Sequence, residues 1–254
     1  MWTRQLLKQN GKVAFQRNYW TCVLVCLLAG LLGGGLASSF NFGTTGNEPE
    51  IPYNEASLSE LLRQIPPTFW MILMTAIVVG SVIGLCIAIL VSNVAVVGNS
   101  RYFLENREHK TGVSQLFYGF QGGRYSTTVW VMFLRNLYIF GWSLLFIVPG
   151  IVKSYSYMLV PYILAENTYI DKKRVFRLSS QMMEGHKMEA FVLELSFFGW
   201  FLLAGFTGGI LNIFYVNPYF YATFAEFYSA VKAEAQMKGI IQEGELPGVG
   251  LPEM

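Results

Sequence analysis

The ionisable side chains in or beside long apolar stretches include Arg135, Lys153, Glu166, His186, Lys187 and Glu194. Arg135 interrupts VWVMFLRNLYIF. An arginine at the centre of a bilayer costs at least about 2.5 kcal/mol, so it is expected to face protein or water. Arg135 precedes Trp142 much as Glu194 precedes Trp200, so the two lie at similar depth if they occupy equivalent helices. Two readings stay open. They pair or share a polar cavity, or both lie at an interface with Arg135 reaching headgroups. Lys153 is expected near the outer surface, its amine extended to headgroups.

A carboxylate, an imidazole and an ammonium would suit acid–base work. Glu166, Glu194, His186 and Lys187 are the candidates for an intramembrane enzyme, but no spacing brings them together. His186 and Lys187 at the entrance of an apolar stretch also serve as a cap or a headgroup contact. The only other histidine is His109, and no paired-histidine motif exists. Cys22, Cys26 and Cys86 lie in apolar runs without disulfide or zinc spacing. GFQGGRY (119–125) lacks the order of a phosphate-cradling loop. The expectation is no catalytic residue, no metal, no cofactor and no nucleic-acid partner.

The elements that must position these groups are apolar. Hydrophobic residues make up 53% of the 254 and charged ones 13%, against roughly 25% charged in soluble domains. Lipid is the expected solvent. The run at 19–39 is long enough to span and follows a basic segment at 1–18. It imitates a signal peptide, but further spans follow, so an uncleaved helix is the reading. A polar loop at 40–67 includes SLSELLRQI (57–65), a short amphipathic helix ended by Pro66 and Pro67. A second span runs from about Thr68 to Gly98. Small residues four apart, Gly30 with Gly34 and Gly80 with Gly84, suggest close helix pairing within the chain or in a dimer.

Two apolar stretches, 126–166 and 190–230, are each about 40 residues long. A single helix of that length would reach about 60 Å, twice a hydrocarbon core. Each is expected to be a hairpin, turning at Pro149-Gly150 and at Thr207-Gly208-Gly209. The result is an all-α polytopic membrane helix bundle of about six transmembrane helices, the last four forming two similar hairpins. Basic residues favour the cytoplasm. Six spans put the segment at 1–18, the loop at 99–124, the cluster at 171–189 and the tail at 231–254 inside, with both termini cytoplasmic. The hairpins echo each other: FGWSLL (140–145) with FGWFLL (198–203), and Pro161-Tyr162 with Pro218-Tyr219. DKKRVFRLSSQMMEGHKMEAF (171–191) places Lys172, Lys173, Arg174 and Arg177 on a basic helix face that rests on anionic lipid, or forms a plain inner loop. The aromatic run from Phe214 to Tyr228 anchors and packs, or lines a site for an acyl chain.

The strings LLFIVPGIVKSYSYMLVPYILAE, SSQMMEGHKMEAF, LELSFFGW and NPYFYATFAEFY occur in that order. They resemble the integral membrane family called domain of unknown function 975, from about Gly98 onward. The resemblance implies six spans in a bacterial plasma membrane and brings no catalytic residue with it. The expected function is non-enzymatic handling of a lipid-like or amphiphilic molecule, as a permease or an accessory component. The alternative is a scaffold or regulatory partner in a membrane complex. Membrane lipids are the expected partners, with a membrane protein or a second copy as further possibilities.

Overall fold

The computed structural model describes residues 2–32, 66–121 and 123–248. The expected amphipathic helix at 57–65, most of the loop at 40–67, Gly34 and the end of the first span lie outside the described residues. Among those residues every regular element is helical: α1 (Arg4–Arg17), α2 (Tyr19–Leu32), α3 (Pro67–Ile87), α4 (Asn93–Glu108), α5 (Arg124–Leu145), α6 (Ile147–Ser156), α7 (Val160–Glu166), α8 (Lys172–Met182), α9 (Lys187–Leu195), α10 (Phe198–Phe206) and α11 (Asn217–Met237).

Among the described residues four helices are long and apolar enough to cross a membrane: Pro67–Glu108, Tyr125–Leu145, Ile147–Glu166 and Lys187–Phe206. α1 and α2, bent by 96° at Asn18, add a fifth if they count as one span. The limb at 210–237, expected as a sixth crossing, is helical but is not in that set. Its position explains its composition. α11 buries Ala222, Ala225, Phe224, Phe227 and Tyr228 against the rest of the bundle, so its solvent is protein rather than lipid.

The second span is longer than its polar residues suggest. α3 passes through a π-helical turn at Ala88–Ser92 straight into α4. α4 is the polar spine of the core. Asn99, Ser100, Glu105 and Asn106 are buried on it, and all but the Asn99 Oδ1 atom find partners, as burial favours. Asn106 Nδ2 donates to the Ala14 carbonyl (2.9 Å), and its Oδ1 accepts from Asn18 Nδ2 (3.1 Å). Arg101 reaches the Ala165 carbonyl (2.7 Å) and stands over the Tyr118 ring. The 3₁₀ segment Val113–Phe120 lies against α4 because Gly98 has no side chain: a Cβ there would sit 1.8 Å from the Leu116 carbonyl oxygen. Gly119 makes the reciprocal approach to Val94. Gly80 meets nothing within 4 Å among the described residues, and neither does Gly84. The expected pairing face is not seen there.

Each of the two long apolar stretches is divided into shorter helices, the first at a residue other than the expected turn. The chain breaks at Phe146, in extended backbone, three residues before Pro149. Pro149 falls in the first turn of α6, where a missing N–H costs nothing. Gly150 serves the packing of the two limbs, since a Cβ there would lie 2.3 Å from Ser143 Oγ. The other turn is where the sequence put it. Gly208 and Gly209 adopt φ of 60° and 85°, and Gly209 N–H bonds back to the Ala204 carbonyl (2.9 Å). Left-handed backbone of this kind favours glycine.

The hairpins differ within their limbs. In the first, the return limb is broken between α6 and α7, and Pro161 lies in the opening turn of α7. In the second, the outgoing limb is interrupted at Ser196 and Phe197, and the return limb carries a π-helical turn at Asn212–Val216 before Pro218.

Candidate functional site

Arg135 takes its place from Pro161. A helical residue donates its N–H to the carbonyl four residues earlier, and Pro161 has none to give Tyr157. Tyr157 lies in the gap between α6 and α7, where its oxygen receives only a long contact from Val160 N–H (3.4 Å). Arg135 Nε fills the vacancy at 2.8 Å. The neighbouring Ser156 carbonyl is taken by Ser179 Oγ (2.8 Å) from α8. The break is therefore satisfied by side chains from two other helices.

From Arg135 a hydrogen-bonded chain runs the other way. Its Nη1 donates to Asn136 Oδ1 (3.3 Å), and Asn136 Nδ2 donates to Asn93 Oδ1 (3.0 Å). Asn93 Nδ2 then donates to the Ile89 carbonyl inside the π-helical turn (3.0 Å). One polar thread thus joins two irregular stretches of backbone across α5. Beside it lies a groove of about 580 Å³ lined by Ile89, Ser92, Asn93, Phe133, Asn136, Leu137 and Phe140. Its wall is apolar apart from Ser92 and the amide pair.

The pairing of Arg135 with Glu194 is not what the structure forms. Glu194 Oε2 accepts from the Tyr155 hydroxyl (2.6 Å), and Arg135 is spent on the Tyr157 carbonyl. Both partners, Tyr155 and Tyr157, come from the stretch around the α6–α7 break. Lys153 lies among aromatic rings. Its amine stands over the rings of Trp142 (5.4 Å) and Tyr157 (5.8 Å), a cation–π arrangement. Arg135 and Lys153 are brought together at this break.

Glu166, His186 and Lys187 lie at the opposite end of the hairpins from their turns, here called the basic end. Glu166 Oε2 is 2.5 Å from Lys232 Nζ and accepts the Gly248 N–H at 3.2 Å. His186 Nδ1 lies 2.7 Å from Glu189 and its Nε2 3.4 Å from Glu234, with the Trp2 ring tilted against it at 5.9 Å. Lys238 and His186 hold the Glu234 carboxyl below its ordinary range, the hydrogen bond from Lys238 weighing most. Lys187 is the first residue of α9. Arg107 pairs with Glu226 at 3.0 Å.

Of the four basic residues expected on a lipid surface, Lys173 and Arg177 are exposed, and Lys172 stands over Trp130 at 5.9 Å. Arg174 is turned inward. It holds both oxygens of Glu245 (2.5 and 2.8 Å) and the Ile240 carbonyl (2.8 Å). That bidentate grip keeps the Glu245 carboxyl below the usual carboxylate range. Sequence reasoning missed Asn93, Asn136, Tyr155, Lys232 and Glu245. For the asparagines a signal existed, since each amide interrupts an apolar run.

The described fold is all-helical, with several helices fit to cross a membrane, broken where Arg135 and Asn93 make polar repairs. That defines a class, the polytopic helical proteins. Within it, the family model described as "Protein of unknown function (DUF975)" matches residues 145–235. The resemblance read from the sequence therefore holds from the Phe146 break to the end of α11, a narrower range than Gly98 onward. No curated protein and no solved structure matches. The matched segment contains Lys153, Glu166, Arg174, His186, Glu194 and Lys232, while Arg135 and Asn93 lie before it.

Proposed function

We propose that this chain is a multi-pass protein of a bacterial plasma membrane that binds a lipid-like amphiphile without transforming it. The groove beside the Asn93–Asn136 pair carries this reading. About 580 Å³ of space walled by Phe133, Leu137 and Phe140 suits an acyl or prenyl chain. Ligand pockets are typically apolar with a few polar groups that fix orientation, and the amide pair next to Arg135 offers donors and acceptors for a polar head. Both termini are assigned to the cytoplasm on the charge pattern, which puts the basic end inside.

Mass spectrometry of lipids that co-purify in mild detergent tests the proposal. One amphiphile class should be enriched over its share of the membrane. A Leu137→Trp variant, which fills the groove, should lose that enrichment. Bulk lipids in bulk proportions in the native protein would overturn the reading.

A further inference from the structure

We propose that residues 239–248 form a releasable strap over a polar chamber at the basic end, latched by Glu245 on Arg174. The chamber has a volume of about 220 Å³ and is lined by Arg107, Glu166, Tyr228, Ser229 and Lys232, with residues 246–248 across it. It lies at the opposite end of the hairpins from their turns, so this inference does not depend on the groove.

The strap begins where α11 ends. Gly239 follows Lys238 with φ of 67°, and Gly244 adopts φ of 77°, so the chain reverses and folds back over α7 and α8. Its attachments are few and mostly polar. Arg174 grips Glu245 with two hydrogen bonds and takes the Ile240 carbonyl with a third. Asn167 Nδ2 donates to the Glu245 carbonyl (3.1 Å). Gln242 N–H donates to Glu245 Oε2 (2.9 Å), closing the strap on itself. Gly248 N–H reaches Glu166 inside the chamber. Leu246 is the one strap side chain fully buried, at 4% exposure, while Gln242, Glu243 and Gly244 face outward.

Ile240 and Ile241 add half-buried apolar contacts to that of Leu246, but the other attachments are hydrogen bonds near solvent, so the segment belongs nearer the low-stability end of the structure than α11 does. The floor beneath it is of a different kind. The Glu166–Lys232 pair is largely buried, and the Tyr228 side chain beside the chamber is fully buried. Opening the strap exposes that pair to water and to solutes. Among the described residues Glu245 is the only carboxylate paired with Arg174, so this pair is the charged latch of the strap.

The test uses the full chain in detergent, with Ser229→Cys as reporter in a Cys86→Ser background, where the remaining cysteines, Cys22 and Cys26, are buried. A charged maleimide should label Cys at this position slowly. Glu245→Ala and Arg174→Ala should each raise the rate about tenfold or more, the scale set by losing a charge-assisted hydrogen bond. The swap Arg174→Glu with Glu245→Arg should restore slow labelling. Hydrogen exchange at 240–248 should rise in the single variants while that of α11 stays unchanged. Fast labelling of the strapped protein, equal rates in all variants, or a swap that labels like the single variants would each overturn the proposal.

Discussion

At the scale of single residues, the structure turns on side chains that repair the backbone. Pro161 leaves the Tyr157 carbonyl short of its helical donor, and Arg135 supplies one from α5 at 2.8 Å. An unmet buried acceptor costs about 1–3 kcal/mol, so Arg135→Ala should destabilise by that amount in a detergent melt. Pro161→Ala returns an N–H to the same carbonyl. The cost of Arg135→Ala should therefore shrink in the Pro161→Ala background, a positive coupling in a double-mutant cycle. Equal costs in both backgrounds would show that Arg135 matters for some other reason. Glycine supplies a second contrast. Gly98→Ala must push the Leu116 carbonyl out of the way and should cost about 1–3 kcal/mol or more. Gly80→Ala meets open space, and alanine is the better helix former by about 1 kcal/mol, so that variant should melt no lower than the parent. Thermal melting of the two in one detergent separates the cases.

At the scale of elements, the breaks matter more than the helices. The α3–α4 rod is interrupted by a π-helical turn that Asn93 ties to α5. The α6–α7 limb is interrupted by a gap that Arg135 and Ser179 tie to α5 and α8. Such interruptions are tolerated where neighbouring helices satisfy the freed carbonyls. Much of this was legible in outline. The glycines at 208 and 209 marked their turn, because only the left-handed conformation they adopt closes it. Pro149 pointed to the right neighbourhood and the wrong residue. A proline ends one helix or opens the next with equal ease, and here it opens α6. The pairing of Arg135 with Glu194 failed for a related reason. Depth along a hairpin follows from chain length, whereas the partner depends on which carbonyl a distant proline has freed.

At the scale of the whole molecule, the ends of the bundle differ. The hairpin turns at Phe146 and at 207–209 carry no charged residue, while the basic end gathers Glu166–Lys232, Arg107–Glu226 and Arg174–Glu245. The last pair makes the strap sensitive to acid. Hydrogen bonds from Arg174 and from the Gln242 amide favour the charged form of Glu245, so its folded value lies below the ordinary 4.5. A carboxyl lowered on folding contributes stability that is fully present above its unfolded value and lost as pH falls through its folded value. Hydrogen exchange at 240–248 should therefore show constant protection, after correction for intrinsic rates, from neutral pH down to about 5. Protection should fall only in stronger acid. Glu245→Gln should abolish that dependence, and a transition near neutrality would point to a different group.

The sequence by itself determined that the chain is helical and largely apolar, that much of its second half resembles one family, and that two long stretches are too long for one span each. These follow from composition and from the length of a helix against the thickness of a membrane, quantities that need no partner. Only the tertiary structure decided what the polar residues do. Arg135 answers a backbone oxygen, Asn93 and Asn136 answer each other, and Arg174 answers a carboxylate 71 positions away. In a low-dielectric interior most polar groups find a partner, and which one is set by packing across the bundle, which no local pattern records.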